Sequence, residues 1–276
     1  MTALALAVGI GLAAFAAGCV LKAFRYVRMP SHLRWELYPI PEGRLGQART
    51  VAEEILTLRM VRERNRGLWL PSLLFHYGLY LLFALGLTLL VSGAMAGLGV
   101  RATGLQGSAA LSIWGALGIA CGSVGAAGLL LRRGFDPGIR ASSTPGDFLN
   151  LAWLLALFGV SGGAWLFADR DYGFAVTFLA ATFGGRGIQP APGWFVAEAL
   201  LLAGFLAYLP ATHMTHFFGK WFTWHAVRWD ERPVVAGGAL ESELQRLLGR
   251  PVRWSAAHVG ADGKKSWGEI ATGDRP

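Results

Sequence analysis

Five long apolar stretches constrain this chain more than anything else in it: roughly Ala3 to Tyr26, Leu68 to Gly93, Ala109 to Leu131, Phe148 to Phe167 and Trp194 to Phe218. Crossing the hydrocarbon of a bilayer takes about 20 apolar residues in a helix, since lipid offers the backbone N–H and C=O groups no partners of its own. Hydrophobic residues make up 54% of the 276 and charged residues only 15%, too apolar a balance for one soluble core of ordinary proportions. The pattern predicts an all-α membrane protein built as a bundle of five transmembrane helices. A sixth stretch, Tyr172 to Phe183, is too short to cross and is followed by Gly184, Gly185 and Gly187, so it is expected at the interface or as a re-entrant segment.

Ala16-Ala17-Gly18-Cys19, inside the first stretch, bears a faint likeness to a lipoprotein cleavage site. No Lys or Arg precedes it and it runs on toward Lys22 and Arg25, so it is expected to stay as a helix of the mature protein.

Orientation follows from the 25 basic residues. Residues 22 to 67 hold ten, the 132 to 147 connection three and the tail after Phe218 nine, whereas the other connections hold only Arg101, Arg170 and Arg186. Basic loops stay cytoplasmic, so five crossings predict the N-terminus outside and the C-terminus in the cytoplasm. Charge sorted by membrane side accounts for the net +8 and argues against a nucleic-acid surface. Residues 1–227 are expected to form the membrane domain and 228–276 a cytoplasmic tail. Within the first, 46–66 places Val51, Ile55, Leu58 and Val61 on one helical face, an amphipathic segment for headgroups, for a partner, or simply for solvent. In the tail, Trp254 and Trp267 flank His258, large aromatics that a docked partner protein would bury.

Imidazole is costly in hydrocarbon, so a histidine inside a span usually has a partner. His76 lies eight residues into the second stretch, about 12 Å along the helix axis. His216 lies at a similar distance from the Trp221–Trp224 belt at the exit of the fifth stretch, which runs the other way. Two such residues suit the axial ligands of one haem; a hydrogen-bonded packing role or a proton relay stays open. His213, three residues before His216, differs from it by about 60° in direction. Only one of the pair can face an iron, leaving the other to a propionate or the interface, and Pro210 kinks the helix just before them. His32, His225 and His258 lie outside the apolar stretches.

Glu198 is the one carboxylate inside these stretches; such a group must be neutral, paired or in a wet cavity, and a quinone site needs a group that passes protons. An ordinary interface residue is the plainer alternative, and Arg170 or Arg186 is a candidate counter-ion. Cys19 and Cys121 sit within apolar stretches with no neighbouring ligand and read as packing residues. Gly115, Gly118, Gly122, Gly125 and Gly128 stack along the third stretch, which predicts close helix packing within the bundle. No P-loop, dinucleotide fingerprint, Ser-His-Asp order or zinc spacing is present.

The LLFHYG string around His76, the five-helix layout and LPATHMTHFFGKW around His216 resemble the gamma subunit family of respiratory nitrate reductases. MPSHLRWELYPIPEG at 29–43 and WSAAHVGADGKKSW in the tail resemble one branch more closely, the cytochrome b subunits of heterodisulfide-reductase-like and sulfite-reductase-linked membrane complexes. That resemblance implies haem b held by His76 and His216, with His213 an alternative ligand or a neighbour of a propionate. It further implies electron transfer between the quinone pool, menaquinone by the likeness, and a cytoplasmic Fe–S subunit. The two-haem members carry further histidines where this chain has Gly86 and Glu198, so one haem is expected. The rival is a membrane anchor or transporter-like subunit in which the histidines relay protons and no haem binds.

Overall fold

The computed structural model describes residues 3–28, 43–100, 108–185, 187, 189–219, 222, 235–256 and 259–273. Two compact units share the chain: residues 1–19 with 42–213, and 20–41 with 214–276. Five helices are long and apolar enough to cross a membrane. They are α1 (Ala3–Arg28), α4 (Arg66–Gly97), α5 (Ala109–Phe135), α7 (Pro145–Phe167) and the segment that begins with α9 (Gly193–Tyr208). Between them lie α2 (Gly43–Thr57), α3 (Arg59–Arg64), α6 (Pro137–Ala141) and α8 (Gly173–Phe183).

Glycine sets the closest approach in the first unit. A Cβ on Gly78 would strike the backbone of Gly122, and one on Gly125 the backbone of Phe75, while Gly118 lies against Leu82 and Gly128 against Pro71. Residue numbers rise on α5 as they fall on α4, so the two helices run antiparallel with their backbones nearly touching. The expected small-residue packing is therefore an intrabundle seam. Phe158 of α7 fills the notch at Gly122, and Trp153 of α7 donates from Nε1 to the Leu201 carbonyl of α9 at 3.3 Å. Gly11 meets Ala203 and Gly18 meets Pro210, so α1 and α9 run parallel. The five directions alternate, as successive crossings require.

The short helix α8 packs between the ends of α1, α4 and α9. Leu179 covers Gly93, the Ala180 carbonyl lies 2.8 Å from where Gly97 would carry a Cβ, and Phe178 is buried with Ala5 and Phe195. Phe195 meets Phe174 and Phe178 edge to face, at 4.8 and 5.2 Å between centroids.

Two expected helices are broken. The 46–66 segment is α2 and α3 joined at Leu58, whose φ of 48° is left-handed. That conformation costs a leucine about 1–2 kcal/mol, and burial of the same side chain returns about as much. The fifth span does not continue helically from Trp194 to Phe218. It ends at Tyr208 and passes through two 3₁₀ turns, Leu209–Ala211 and His213–Thr215, before helical backbone resumes at 216–219. Pro210 has no N–H to donate to a preceding turn, and Thr212 adopts an extended ψ of 172°. The Thr212 hydroxyl and N–H both bond the Leu209 carbonyl, at 2.8 and 3.0 Å, and fix the break.

In the second unit, Tyr26 stacks on Phe222 at 5.7 Å and meets Phe218 edge-on at 6.4 Å, with Gly219 beneath its ring. The tail holds α10 (Ala239–Leu248), an antiparallel pair of β1 (Ser255–Ala256) with β2 (Ala261–Asp262), and α11 (Trp267–Thr272). Trp254 and Trp267 lie edge to face at 5.9 Å, so the two indoles already partner each other while staying half-exposed.

Candidate functional site

At the end of the first unit where α4 begins, His76 is tied to its own helix. Its Nδ1 lies 2.7 Å from the Ser72 carbonyl oxygen. A carbonyl only accepts, so Nδ1 is the donor in this bond. The ring is half-buried between Phe75, edge-on at 5.6 Å, and Tyr80 at 6.2 Å.

That face of α4 also holds the end of α2. The last carbonyls of a helix lack intrahelical partners. Here Ile55 receives the Tyr80 hydroxyl at 3.1 Å, Leu56 the Tyr77 hydroxyl at 3.1 Å and Thr57 the Trp69 Nε1–H at 2.8 Å. Three aromatic side chains that bracket His76 in sequence thereby dock the α2–α3 hairpin. Glu54, buried in the same turn, accepts from the Met60 N–H at 3.1 Å. The sequence reading missed this clamp; its trace is three aromatics with polar tips spaced along one helix.

His213 meets a carboxylate. Its Nε2 lies 3.5 Å from Asp147 Oδ1, while Arg133 lies 3.8 Å from Oδ2 and donates to the Ser143 hydroxyl at 2.8 Å. The helix expected from Phe148 starts at Pro145, which brings Asp147 into its first turn. There the carboxylate accepts the Thr144 N–H and hydroxyl, both at 2.8 Å, as half of a capping box. A second carboxylate thus belongs to the long helices besides Glu198. His216, exposed and beyond the 3₁₀ turn, belongs to the second unit, and its neighbour Thr215 is buried. His32, His225, His258, Trp221, Trp224, Arg186 and the 29–42 string lie outside the described residues.

The opposite end of the first unit carries Glu198, hydrogen-bonded to Ser161 of α7 and within electrostatic reach of Asp169 and Tyr172. Arg170, one of its two expected counter-ions, lies over the Trp165 ring at 4.7 Å. Asp169 accepts the N–H groups of Phe174 at 2.9 Å and Ala175 at 2.7 Å, so it caps α8. Burial pushes its carboxyl above the ordinary range, against those two bonds, which hold it down. Tyr172 adopts a left-handed φ of 60°. Its phenol is pushed up by burial first, then by Glu198 and Asp169.

Gly86 is exposed, and a side chain added there would meet open space. Among the described residues no group of three or more His, Cys, Asp or Glu side chains is placed to hold a metal ion. No protein-family model, curated protein or solved structure matches the chain.

Proposed function

We propose that the chain is a multi-pass subunit of a prokaryotic inner membrane that carries one haem b and moves electrons between the quinone pool and a cytoplasmic Fe–S partner. His76 and His216 are the axial ligands in this reading, and the His76 end of the bundle, rich in Lys and Arg, faces the cytoplasm. The observation that carries it is the His76 ring. Its Nδ1–H donates to the Ser72 carbonyl, which orients the imidazole in the way metal-bound histidines commonly are. Fit at His76 rests on that donor geometry.

Bound haem supplies a one-electron carrier. The chain's own residues do the remainder. Ser72 fixes the ring of one ligand, and the hairpin held by Trp69, Tyr77 and Tyr80 lies along the face of α4 that bears it. His213, held by Asp147, is a neighbour of the site and not its ligand. Glu198, with Ser161, exchanges the protons that quinone chemistry releases or takes up. Exposure at Gly86 supports one haem, since a ligand from that position would face away from the packed interior. The half-exposed Trp254–Trp267 pair gives the tail a surface for the Fe–S partner.

The absorbance spectrum of the purified, dithionite-reduced protein tests this directly. A sharp b-type band is expected, abolished in His76→Ala and in His216→Ala. A colourless wild-type preparation would leave a haem-free membrane subunit.

A further inference from the structure

Where α5 gives way to α6, the chain places charge and exposed apolar surface side by side. A cavity of about 450 Å³ opens there, lined by Leu131, Arg132, Phe135, Asp136 and Pro137. Leu131 and Phe135 are exposed near the end of a helix long and apolar enough to cross a membrane. Arg132 reaches the start of α4, where its guanidinium takes the space that a Cβ on Gly67 would fill. Gly67 belongs to the first turn of α4, the end at which N–H groups lack helical acceptors and the helix carries partial positive charge. Like charges therefore meet at this contact.

We propose that this corner binds the phosphate of an anionic phospholipid, with Leu131 and Phe135 against its acyl chains. The carboxylate in the cavity wall is already engaged. Asp136 Oδ1 accepts the N–H groups of Gly138 at 3.1 Å and Ile139 at 3.3 Å, and Oδ2 lies 3.3 Å from Arg132 Nη2. That leaves the Arg132 Nε–H, which is buried and has no acceptor among the described residues. A buried donor on a charged group is costly to leave unpaired, and a guanidinium fork matches the geometry of a phosphate. Residues 132 to 140 hold three arginines and one aspartate, and Arg66, beside Gly67, is exposed, so the corner keeps a net positive charge. An anion held there offsets the like charges of Arg132 and the start of α4.

The apolar wall selects the source of the phosphate. Phe135 is 82% exposed and Leu131 59%. At the surface of a bilayer two such side chains lie where acyl chains begin, beneath a headgroup at the level of the arginines. A free phosphate would use the cation and leave both side chains uncovered. A zwitterionic headgroup would bring its own cation toward Arg132.

Native mass spectrometry of the full chain in detergent tests the site, with titrations of palmitoyl-oleoyl phosphatidylglycerol, of the phosphatidylcholine with the same chains and of inorganic phosphate. Phosphatidylglycerol should bind roughly fivefold more tightly than phosphatidylcholine, and Arg132→Ala should remove most of that preference. Gly67→Ala removes no charge but pushes the guanidinium aside. Only the tip of a flexible side chain has to move, so circular dichroism should show the helices intact while phosphatidylglycerol binding weakens. Arg25→Ala, in the last turn of α1, controls for surface charge and should leave binding unchanged. Equal binding of the two lipids overturns the proposal, as does an equal loss in Arg132→Ala and Arg25→Ala. Displacement of the lipid by inorganic phosphate at the same concentration overturns the lipid assignment in favour of a plain anion site. None of these measurements reads haem or quinone, so the result stands or falls apart from the function proposed above.

Discussion

The two ends of the first unit handle polar groups in opposite ways. Around His76, polar side chains end on backbone: the imidazole on Ser72, and Trp69, Tyr77 and Tyr80 on the three orphan carbonyls of α2. Around Glu198, titratable side chains lie within one another's electrostatic reach, Asp169 and Tyr172 among them, while Asp169 caps α8. Backbone acceptors do not titrate, so the first arrangement holds a ring in one orientation whatever the pH. Carboxyls and phenols gain and lose protons as their neighbours do, so the second suits exchange. The difference teaches that one end ties its polar side chains to backbone, while the other sets titratable groups in each other's field.

The largest test of that contrast is a pair of variants. His76→Ala should remove the reduced b-type band completely, whereas Glu198→Gln should keep it and alter only quinone-linked turnover. Loss of the band in both would erase the division between the ends.

Next in size is the glycine seam that holds both ends in register. Gly125→Leu drives a side chain into the backbone of Phe75 and should cost about 1–3 kcal/mol, read as a lower unfolding temperature in detergent. Gly86→Leu, on an exposed position, should change stability by no more than about 0.5 kcal/mol.

A smaller effect is expected at the clamp. Tyr77→Phe and Tyr80→Phe each remove one hydrogen bond worth about 1 kcal/mol and leave an α2 carbonyl unpaired. Trypsin should then cut faster at Arg59, Arg62 and Arg64; unchanged cleavage would mean that packing, not the clamp, holds the hairpin. His213→Ala removes a contact whose histidine side is 64% exposed, worth at most about 1 kcal/mol, and should leave the haem band in place.

The smallest effect is a pH dependence at the other end. Because the fold raises the Asp169 carboxyl above its ordinary value, its cost to stability is absent below that value, sets in as pH rises toward the raised one, and is complete above it. Asp169→Asn keeps an oxygen for the α8 cap. It should therefore be slightly more stable than wild type at neutral pH and equal to it in acid, by thermal unfolding. A gain that persists in acid would show that charge is not its cause.

Much of this was legible in the residues. Ala3–Arg28, Arg66–Gly97, Ala109–Phe135 and Pro145–Phe167 begin and end within a few residues of the apolar stretches, because a run of apolar side chains as long as a bilayer is thick is itself the signal. The α5 glycines and the short α8 were readable for the same reason, spacing in one case and length in the other. The breaks at Leu58 and after Tyr208 were not. Leu58 is an ordinary helix former, left-handed here because burial repays the strain, and the turn after Pro210 depends on which carbonyl the Thr212 hydroxyl finds.

The sequence alone therefore determined how many apolar helices there are, how they alternate and that His76 and Glu198 lie within them, since hydrophobic length and residue type are local properties. Tertiary structure decided the partners: Asp147 for His213, three aromatic tips for the end of α2, Gly115 for the Tyr172 hydroxyl. Hydrogen-bond acceptors on the backbone leave no mark in a one-dimensional pattern, and the space a missing Cβ opens has value only once another element arrives to fill it.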